Sequence, residues 1–241
     1  MIESIRKEKR SVLLLDSGAV FGPQIDHANA ELHLKAMERM GYDALNLGIP
    51  ELSFGKEFLE RTHSQVSFPY IASNLLYEGG KLPWIREYVI KEVGGIKVAI
   101  LGILDLGDFK KLPPGDNSKG FDVLPPEAVL NRLLPEVRGK ADLVILLTQL
   151  SEVKTLALME ALQGIDVAIF SEKNYIAPPT QKNVIFLHTG VNGTIMGLVT
   201  ITLDDQRKFS VSERRIVPLD RSVPDNGEIL RLIETYKKSG K

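Results

Sequence analysis

Cysteine is absent from the 241 residues of this chain. Its absence excludes disulfide bonds, iron–sulfur clusters and zinc sites with thiolate ligands. It does not decide the cellular compartment, since many exported proteins also lack cysteine.

Long apolar runs and an excess of one charge are lacking as well. The run "DLVILLTQL" has the length of a strand, so the sequence predicts no membrane span. The 30 basic residues are balanced by 31 acidic ones, which gives no electrostatic signature of nucleic-acid binding. The N-terminal stretch "MIESIRKEKR" is charged and has no apolar signal core. A hydrophobic content of 44% and a charged content of 25% predict a soluble globular protein.

The sequence does contain regularly alternating strand-like and helix-like segments. Short apolar runs predict buried strands at 11–18, 44–48, 70–76, 142–149 and 166–172. A Gly94–Gly95 pair between two β-rich runs predicts a hairpin over 88–104. From residue 183 to about Asp220 the pattern is β throughout.

Apolar residues recur at helical spacing between these runs. A helix is predicted over 27–40 with a stop at Gly41, and its apolar face carries Ala28, Leu32, Ala36 and Met40. A second helix opens at Pro126, and Pro135 is expected to kink or end it. A third covers 152–164. A last amphipathic helix carries on one side Ile229, Ile233 and Tyr236.

Mixed βα units followed by a block of antiparallel strands predict an α/β fold with two sheets packed face to face and helices outside. No internal repeat or linker divides the chain, so residues 1–241 are predicted to form a single domain.

Six segments, in order, resemble the catalytic domain of the 5′-nucleotidases in the calcineurin-like metallophosphatase superfamily. They are "LLLDSGAVFG", "MERMGYDALNLGIPELSFG", "YVIKEVGGIKVAILGIL", "ADLVILLTQLS", "GIDVAIFSEKN" and "GTIMGLVTITLD". The matching region runs from Ser11 to about Asp220. The resemblance implies a four-layer αββα sandwich of two packed mixed sheets. It also implies a site where two divalent metals clamp a phosphate and activate water.

Carried over residue by residue, that metal site has lost its ligands. The family's bridging aspartate falls on Ala19, its asparagine ligand on Ile49 and its catalytic histidine on Pro50. Replacing metal donors by apolar side chains is expected to abolish a two-metal site, because loss of mere outer-shell support already costs ten- to a hundredfold in affinity. No metal cofactor is therefore expected.

The remaining family ligands are replaced by polar residues. A ligating histidine falls on Gln149, and two more fall on Glu172 and Asn174. Together with Glu51 these side chains could form a remnant cleft that holds a hard cation. The opposing interpretation is that they face water or cap helices, and Lys173 adds a positive charge beside them.

Other polar residues have simpler interpretations. Asp16 is retained from the family pattern, where it supports the loop. "DLGD" at 105–108 offers two carboxylates of a kind that is usually solvated. Gly18 and Gly48 are interpreted as turn glycines. None of the four histidines, His27, His33, His63 and His188, falls on a ligand position. His27 and His33 are expected on a solvated helix, and His188 in a structural hydrogen bond.

The resemblance leaves three functional hypotheses. The first is a non-catalytic binding or scaffolding module that keeps the nucleotidase fold without the catalytic metals. The alternative is a divergent metal-dependent phosphoester hydrolase with an altered site built from Glu51, Gln149, Glu172 and Asn174. In the third, a partner or an upstream segment supplies ligands to a composite site.

The ends of the matching region suggest further expectations. The family's first strand, with its Asp-x-His ligand pair, has no counterpart in the chain, and residues 225–241 resemble the helix that connects to a C-terminal domain. An edge left by that strand could be covered by a second copy, a partner or an upstream segment. The resemblance suggests a periplasmic or exported protein if a signal has been removed.

Overall fold

The computed structural model describes residues 1–9, 11–22, 25–112, 117–170, 180–181, 184–188, 193–204 and 209–238. The helices of this part are α1 (Ile2–Glu8), α2 (His27–Met40), α3 (Ile49–Leu52), α4 (Lys56–His63), α5 (Leu106–Phe109), α6 (Pro126–Arg138), α7 (Glu152–Ala161) and α8 (Gly227–Lys238). The strands are β1 (Leu15–Asp16), β2 (Ala44–Asn46), β3 (Tyr70–Ile71), β4 (Leu75–Tyr77), β5 (Ile85–Arg86), β6 (Tyr88–Val93), β7 (Ile96–Ile103), β8 (Phe121–Val123), β9 (Leu143–Thr148), β10 (Val167–Phe170), β11 (Thr180–Gln181), β12 (Val184–His188), β13 (Ile195–Leu203) and β14 (Phe209–Pro218). None of these helices combines the length and the apolar character needed to traverse a bilayer.

Two sheets form the centre of the molecule. The smaller has the order β1-β2-β3-β5, and the larger the order β11-β12-β10-β9-β7-β6. The larger sheet is mixed, with parallel strands in its middle and antiparallel pairs at β11–β12 and β6–β7. The smaller sheet was expected to be mixed, but its described strands are all parallel. For β1, β2 and β3 the reason is that α2 and α4 return the chain over the outside of the sheet between successive strands, whereas β4 lies in the connection from β3 to β5.

Three apolar layers confirm the αββα sandwich. Between the sheets lie Ala44, Ile71, Ile100, Ile145, Leu147 and Val167. The smaller sheet packs on its helices through Leu34, Met37, Leu45, Phe58 and Tyr70. The larger sheet packs on α6 and α7 through Leu101, Leu130, Leu133, Leu146 and Leu158. Alternation along β2 sends Ala44 to the layer between the sheets and Leu45 to the helices.

Several local predictions are confirmed. The hairpin β6–β7 turns at Gly94 and Gly95, whose φ angles of 61° and 79° are those of a two-residue turn that favours glycine. Helix α2 covers 27–40 and ends at Gly41, which adopts a left-handed φ of 71°. On α8, the predicted apolar side is the half-buried one.

Helix α2 differs from the prediction, and α6 does not end at the proline that was expected to kink or end it. The most buried residues of α2 are Ala30, Leu34 and Met37 rather than the predicted stripe, which is only partly buried. That stripe lies on the same side as Lys35 and Arg39, which contact α8, so α2 is covered from two directions. Helix α6 continues to Arg138 through Pro135. Pro135 is exposed, and so is Asn131, whose carbonyl the proline leaves without a donor, and water can therefore satisfy that carbonyl.

The charged N-terminus forms α1, a helix that its sequence pattern does not predict. The Arg6 guanidinium donates to the carbonyls of Met40 at 2.7 Å and Gly41 at 2.6 Å, and thereby caps the end of α2. In the described part, β1 has a strand partner only in β2, and β13–β14 forms a separate two-stranded sheet.

Candidate functional site

The candidate site lies where strands of the two sheets end. Polar residues stand at or just after the carboxyl ends of β1, β2 and β9, the edge at which open α/β sheets bind ligands. They are Asp16, Ser17, Asn46, Glu51 and Gln149. The contacts below show how the loops at this edge are held together.

Glu51 joins the loop after β2 to the loop after β1. Its Oε2 accepts hydrogen bonds from the backbone N–H of Gly48 at 2.7 Å and of Ala19 at 3.0 Å. Its Oε1 accepts from the N–H of Phe21 at 2.9 Å. The residue is 0% exposed. The carboxylate is therefore occupied by the backbone, and we refer to this arrangement as the Glu51 clamp.

Burial raises the proton affinity of the Glu51 carboxyl, against the effect of the N–H donors in the clamp. Burial raises the pKa of Glu51 to about 7, although the N–H donors of Phe21, Gly48 and Ala19 favour the charged form. Asp16, whose Oδ1 accepts from Gly18 N–H at 2.8 Å, has its pKa raised by desolvation to about 6. Two carboxyls beside each other in a desolvated loop thus hold protons more readily than in water.

Glycines allow the two loops to approach closely. A Cβ on Gly18, whose φ is 98°, would lie 2.5 Å from the carbonyl oxygen of Asn46. Gly48 has an extended backbone, with φ −108° and ψ 175°, so its conformation alone does not require glycine. A Cβ there would lie 2.6 Å from the Ala19 nitrogen. Gly48 is therefore needed for close packing rather than for a turn.

The predicted ligand positions after β1 and β2 present no donor side chain. Ala19 is exposed and adopts a left-handed φ of 60°. Ile49 and Pro50 begin α3, and Ile49 packs against the apolar layer under the smaller sheet. A methyl group, a branched alkyl chain and a pyrrolidine ring cannot ligate a cation.

Gln149 links the two sheets at this edge. Its Nε2 donates to the carbonyl oxygen of Ser17 at 2.6 Å. The same carbonyl accepts from Nδ2 of Asn46, which is 0% exposed, at 2.9 Å. An amide on the larger sheet is thus bonded directly to the loop that follows β1 of the smaller sheet.

Asn46 and the Ser17 carbonyl were not predicted to take part in the site. The signal that could have revealed Asn46 is a polar residue inside the apolar run "ALNLG". Its Oδ1 has no hydrogen-bond partner among the described residues. A Cβ on Gly102 would lie 2.2 Å from that oxygen, so β7 passes directly against it.

Other predicted residues lie elsewhere or outside the described part. Glu172, Lys173 and Asn174 fall within 171–179, which the structure does not describe. The side chain of His188, at the end of β12, also lies outside the described part. The prediction of solvated carboxylates at 105–108 is wrong for Asp105, which is 4% exposed. It caps α5 through Gly107 N–H at 2.7 Å and pairs with Lys154 at 2.5 Å, because this loop packs against α7.

The described histidines are not grouped around the site. His27 and His33 are exposed on α2, as predicted. The ring of His27 nevertheless packs on Phe54. His63, half-buried on α4, contacts the rings of Tyr70 and Trp84.

Comparison with known proteins decides the relationship. No family model matches the chain. A 5′-nucleotidase of Vibrio cholerae is 29% identical over 150 residues, covering 61% of this chain and 27% of the relative. The uncharacterized metallophosphoesterase YunD of Bacillus subtilis is 28% identical over 229 residues, covering 86% and 46%. The chain is a relative of the 5′-nucleotidases.

A solved structure shows the same fold for this nucleotidase relative. The 5′-nucleotidase precursor from Thermus thermophilus superimposes with a TM-score of 0.84 at 18% identity, over 99% of this chain and 51% of that one. The chain thus spans about half of that structure and 46% or less of the two sequence relatives.

The described side chains of this nucleotidase relative do not fit a pair of divalent metals. Among the residues that the structure describes, no group of three histidine, cysteine, aspartate or glutamate side chains converges as a metal site would require. The Glu51 carboxylate is surrounded by N–H donors, and the Gln149 side chain donates its amide to a carbonyl. Both side chains therefore form hydrogen bonds with the backbone of neighbouring loops.

Proposed function

We propose that this chain is a 5′-nucleotidase-like domain without the catalytic metal ligands, which acts as a non-catalytic binding or scaffolding module. One observation carries the proposal. The strand-end edge that would hold the metals is bridged by the amide of Gln149, which donates to the Ser17 carbonyl at 2.6 Å. A cation in this place would have to displace that hydrogen bond.

The Glu51 clamp supports the proposal from the other side of the edge. Three backbone N–H groups donate to both oxygens of a fully buried carboxylate. Pulling it out to ligate an ion would leave these donors without an acceptor, at roughly 1–3 kcal/mol for each buried donor. The clamp therefore favours a role for Glu51 in loop structure over a role in ligation. We expect no metal cofactor.

A phosphoester hydrolysis assay tests the proposal. The purified chain is incubated with bis(p-nitrophenyl) phosphate and with AMP, in separate reactions containing Mg²⁺, Mn²⁺ or Zn²⁺. We expect no turnover above the rate without protein. Metal-dependent turnover that the wild type shows and Gln149→Ala alters would refute the proposal.

A divergent metal-dependent phosphoester hydrolase is the second candidate. The observation in its favour is the similarity to a metallophosphoesterase over 86% of the chain. In this case Glu172 and Asn174 would have to supply oxygen ligands alongside Gln149. Glu172→Gln and Asn174→Ala separate the two candidates, because both substitutions would lower turnover in a hydrolase, whereas the module has none to lose.

The open side of β1 suggests what a scaffolding module could bind. This strand is paired on one side only within the described part, and Leu13 and Leu15 are partly buried against the layer between the sheets. A strand with a free edge can pair with an extended segment of a second copy, of a partner or of an upstream peptide. Light scattering after size exclusion would reveal self-association, and a clean monomer would exclude the second copy as the occupant.

A further inference from the structure

A cavity of about 540 Å³ lies beside the candidate site, between the beginnings of α2 and α4. Its volume falls within the range typical of small-molecule sites. Aromatic and polar side chains line it together: His27, Phe54, Phe58, Glu57, Arg61 and Asn117. The metal-site resemblance assigns no role to these residues.

Three rings form an aromatic floor. The ring centres of Phe54 and Phe58 lie 4.9 Å apart with an angle of 40° between their planes. The His27 ring stands nearly perpendicular to both, at 5.1 Å from Phe54 and 4.8 Å from Phe58. Phe58 is 4% exposed and Phe54 is half-buried, whereas His27 is exposed. The floor is therefore anchored in the core and open at its outer edge.

Polar groups surround this floor with both signs of charge. The Arg61 guanidinium lies 5.2 Å from the centre of the Phe58 ring and also pairs with Glu31 on α2. Glu57 is exposed, and Asn117 adds a neutral amide. Because a cation and a carboxylate both line the cavity, the surroundings suit a neutral ligand with donors and acceptors at its edge.

A glycine brings the far wall close. Gly55 adopts a φ of 83°, and a Cβ on it would lie 3.2 Å from the Cβ of Asn117. A side chain at this position would be strained and would crowd the wall that carries the amide. The close approach places Asn117 next to the beginning of α4.

The Glu51 clamp holds the floor in place. The N–H of Phe21 donates to Glu51 Oε1 at 2.9 Å, and the Phe21 ring lies 4.9 Å from that of Phe54. The same contact that closes the strand-end edge therefore fixes the aromatic floor of the neighbouring cavity. This connection explains structurally how a loop without donors at Ile49 and Pro50 can still position a binding surface.

We propose that this cavity binds a neutral, planar nitrogen heterocycle that carries an amide or amino group. The half-buried Phe54 ring and the exposed His27 ring offer surface against which a flat ring can pack, with Phe58 buried beneath them. Glu57, Asn117 and Arg61 offer an acceptor, a mixed donor and acceptor, and a donor to the heteroatoms at its edge. Binding requires no metal and no hydrolysis, so the proposal stands independently of the proposed function.

Three isosteric probes test the ligand chemistry. Nicotinamide has an aromatic ring with a ring nitrogen, benzamide lacks the nitrogen, and cyclohexanecarboxamide lacks the aromatic ring. Saturation-transfer NMR titrations in the presence of EDTA measure each dissociation constant. We expect nicotinamide to bind most tightly, benzamide at least severalfold more weakly, and cyclohexanecarboxamide not at all. Equal binding of the first two, or no binding of nicotinamide, overturns the proposal.

Substitutions locate the site. Phe54→Leu keeps an apolar side chain but removes the flat face, and should weaken nicotinamide binding roughly 5- to 150-fold, the range found when a stacking ring is removed. Arg61→Gln removes the charged donor at the rim and its contact with the Phe58 ring, and leaves the three rings of the floor in place. The matched control is His63→Ala, since the half-buried His63 packs on a different group of rings, Tyr70 and Trp84. Thermal melts confirm that each variant is folded. Unchanged affinity for nicotinamide in folded Phe54→Leu and Arg61→Gln overturns the assignment to this cavity. An equal loss of affinity in His63→Ala overturns it as well.

Discussion

Removing the Glu51 carboxylate should destabilise the domain in a graded way. In Glu51→Ala all three N–H groups of the clamp lose their acceptor. A buried donor without a partner costs roughly 1–3 kcal/mol, so the free energy of unfolding should fall by about 3–6 kcal/mol when water partly compensates. That loss is a large fraction of the stability of an ordinary domain.

Glu51→Gln should cost less because the amide keeps one acceptor. Its best orientation turns the oxygen to the N–H groups of Gly48 and Ala19, which share one carboxylate oxygen, at 2.7 and 3.0 Å. The NH₂ group then faces Phe21 N–H, and a single lost bond costs about 1–3 kcal/mol. Urea unfolding followed by circular dichroism measures both variants. Glu57→Gln, on an exposed position of α4, is the control and should change stability by no more than about 0.5 kcal/mol.

The clamp should also make stability depend on pH. The pKa of Glu51 rises on folding from 4.5 to about 7, so the folded state binds the proton more tightly. Proton binding at Glu51 therefore adds to the free energy of unfolding. This addition is complete below pH 4.5 and is lost as pH rises through about 7, a change of roughly 3 kcal/mol. Asp16, whose pKa rises to about 6, acts in the same direction and persists in Glu51→Gln. Glu51→Gln should therefore decline less steeply than wild type between about pH 5 and pH 8.

Two results would refute this reasoning. Glu51→Ala within about 1 kcal/mol of wild type would mean that the clamp does not hold the loops. Equal pH slopes for wild type and Glu51→Gln would mean that Glu51 does not titrate in this range.

Two further substitutions test the strand-end edge. Gln149→Ala removes one of two donors to the Ser17 carbonyl and should lower the free energy of unfolding by about 1 kcal/mol in urea titrations, because the other donor remains; a loss above about 3 kcal/mol would contradict this bonding. Gly102→Ala would place a Cβ 2.2 Å from Asn46 Oδ1 and should cost about 1–3 kcal/mol, whereas Gly22→Ala, with open space around it, should be tolerated. Equal melting temperatures for these two glycine variants would show that the strands are farther apart than described.

Periodicity and turn chemistry predicted most of the fold. The apolar runs at 44–48 and 142–149 form strands, and Gly94–Gly95 forms the turn of a hairpin, as predicted. These features were predictable because hydrophobic spacing and positive φ are local properties. The direction in which α2 faces was less predictable, since it carries apolar residues on two sides and α8 covers one of them. Helix α1 was missed because its apolar positions, Ile2 and Ile5, are too few to give a periodic pattern, and because Arg6 is fixed by contacts with residues far along the chain.

The places of Glu51 and Gln149 in the fold were predicted, but their contacts were not. The aligned motifs put Gln149 directly after a strand and Glu51 in the segment that follows another, as the structure has them. Glu51 accepts hydrogen bonds from backbone N–H groups, and Gln149 donates to a carbonyl next to the other sheet. Both contacts depend on packing between loops that lie far apart in sequence. No sequence periodicity reports such contacts. The cavity at Phe54 and Phe58 was missed for the same reason, because Phe58 reads as an ordinary core residue.

Metal stoichiometry tests the central claim most directly. The purified chain is equilibrated with Zn²⁺, Mn²⁺ or Mg²⁺ at neutral pH, freed of loose ions by gel filtration, and analysed by plasma mass spectrometry. The proposed loss of the family's ligands at Ala19, Ile49 and Pro50 predicts that no metal is retained in stoichiometric amount. One or more ions per chain, bound tightly enough to survive gel filtration and released by Gln149→Ala, would contradict it.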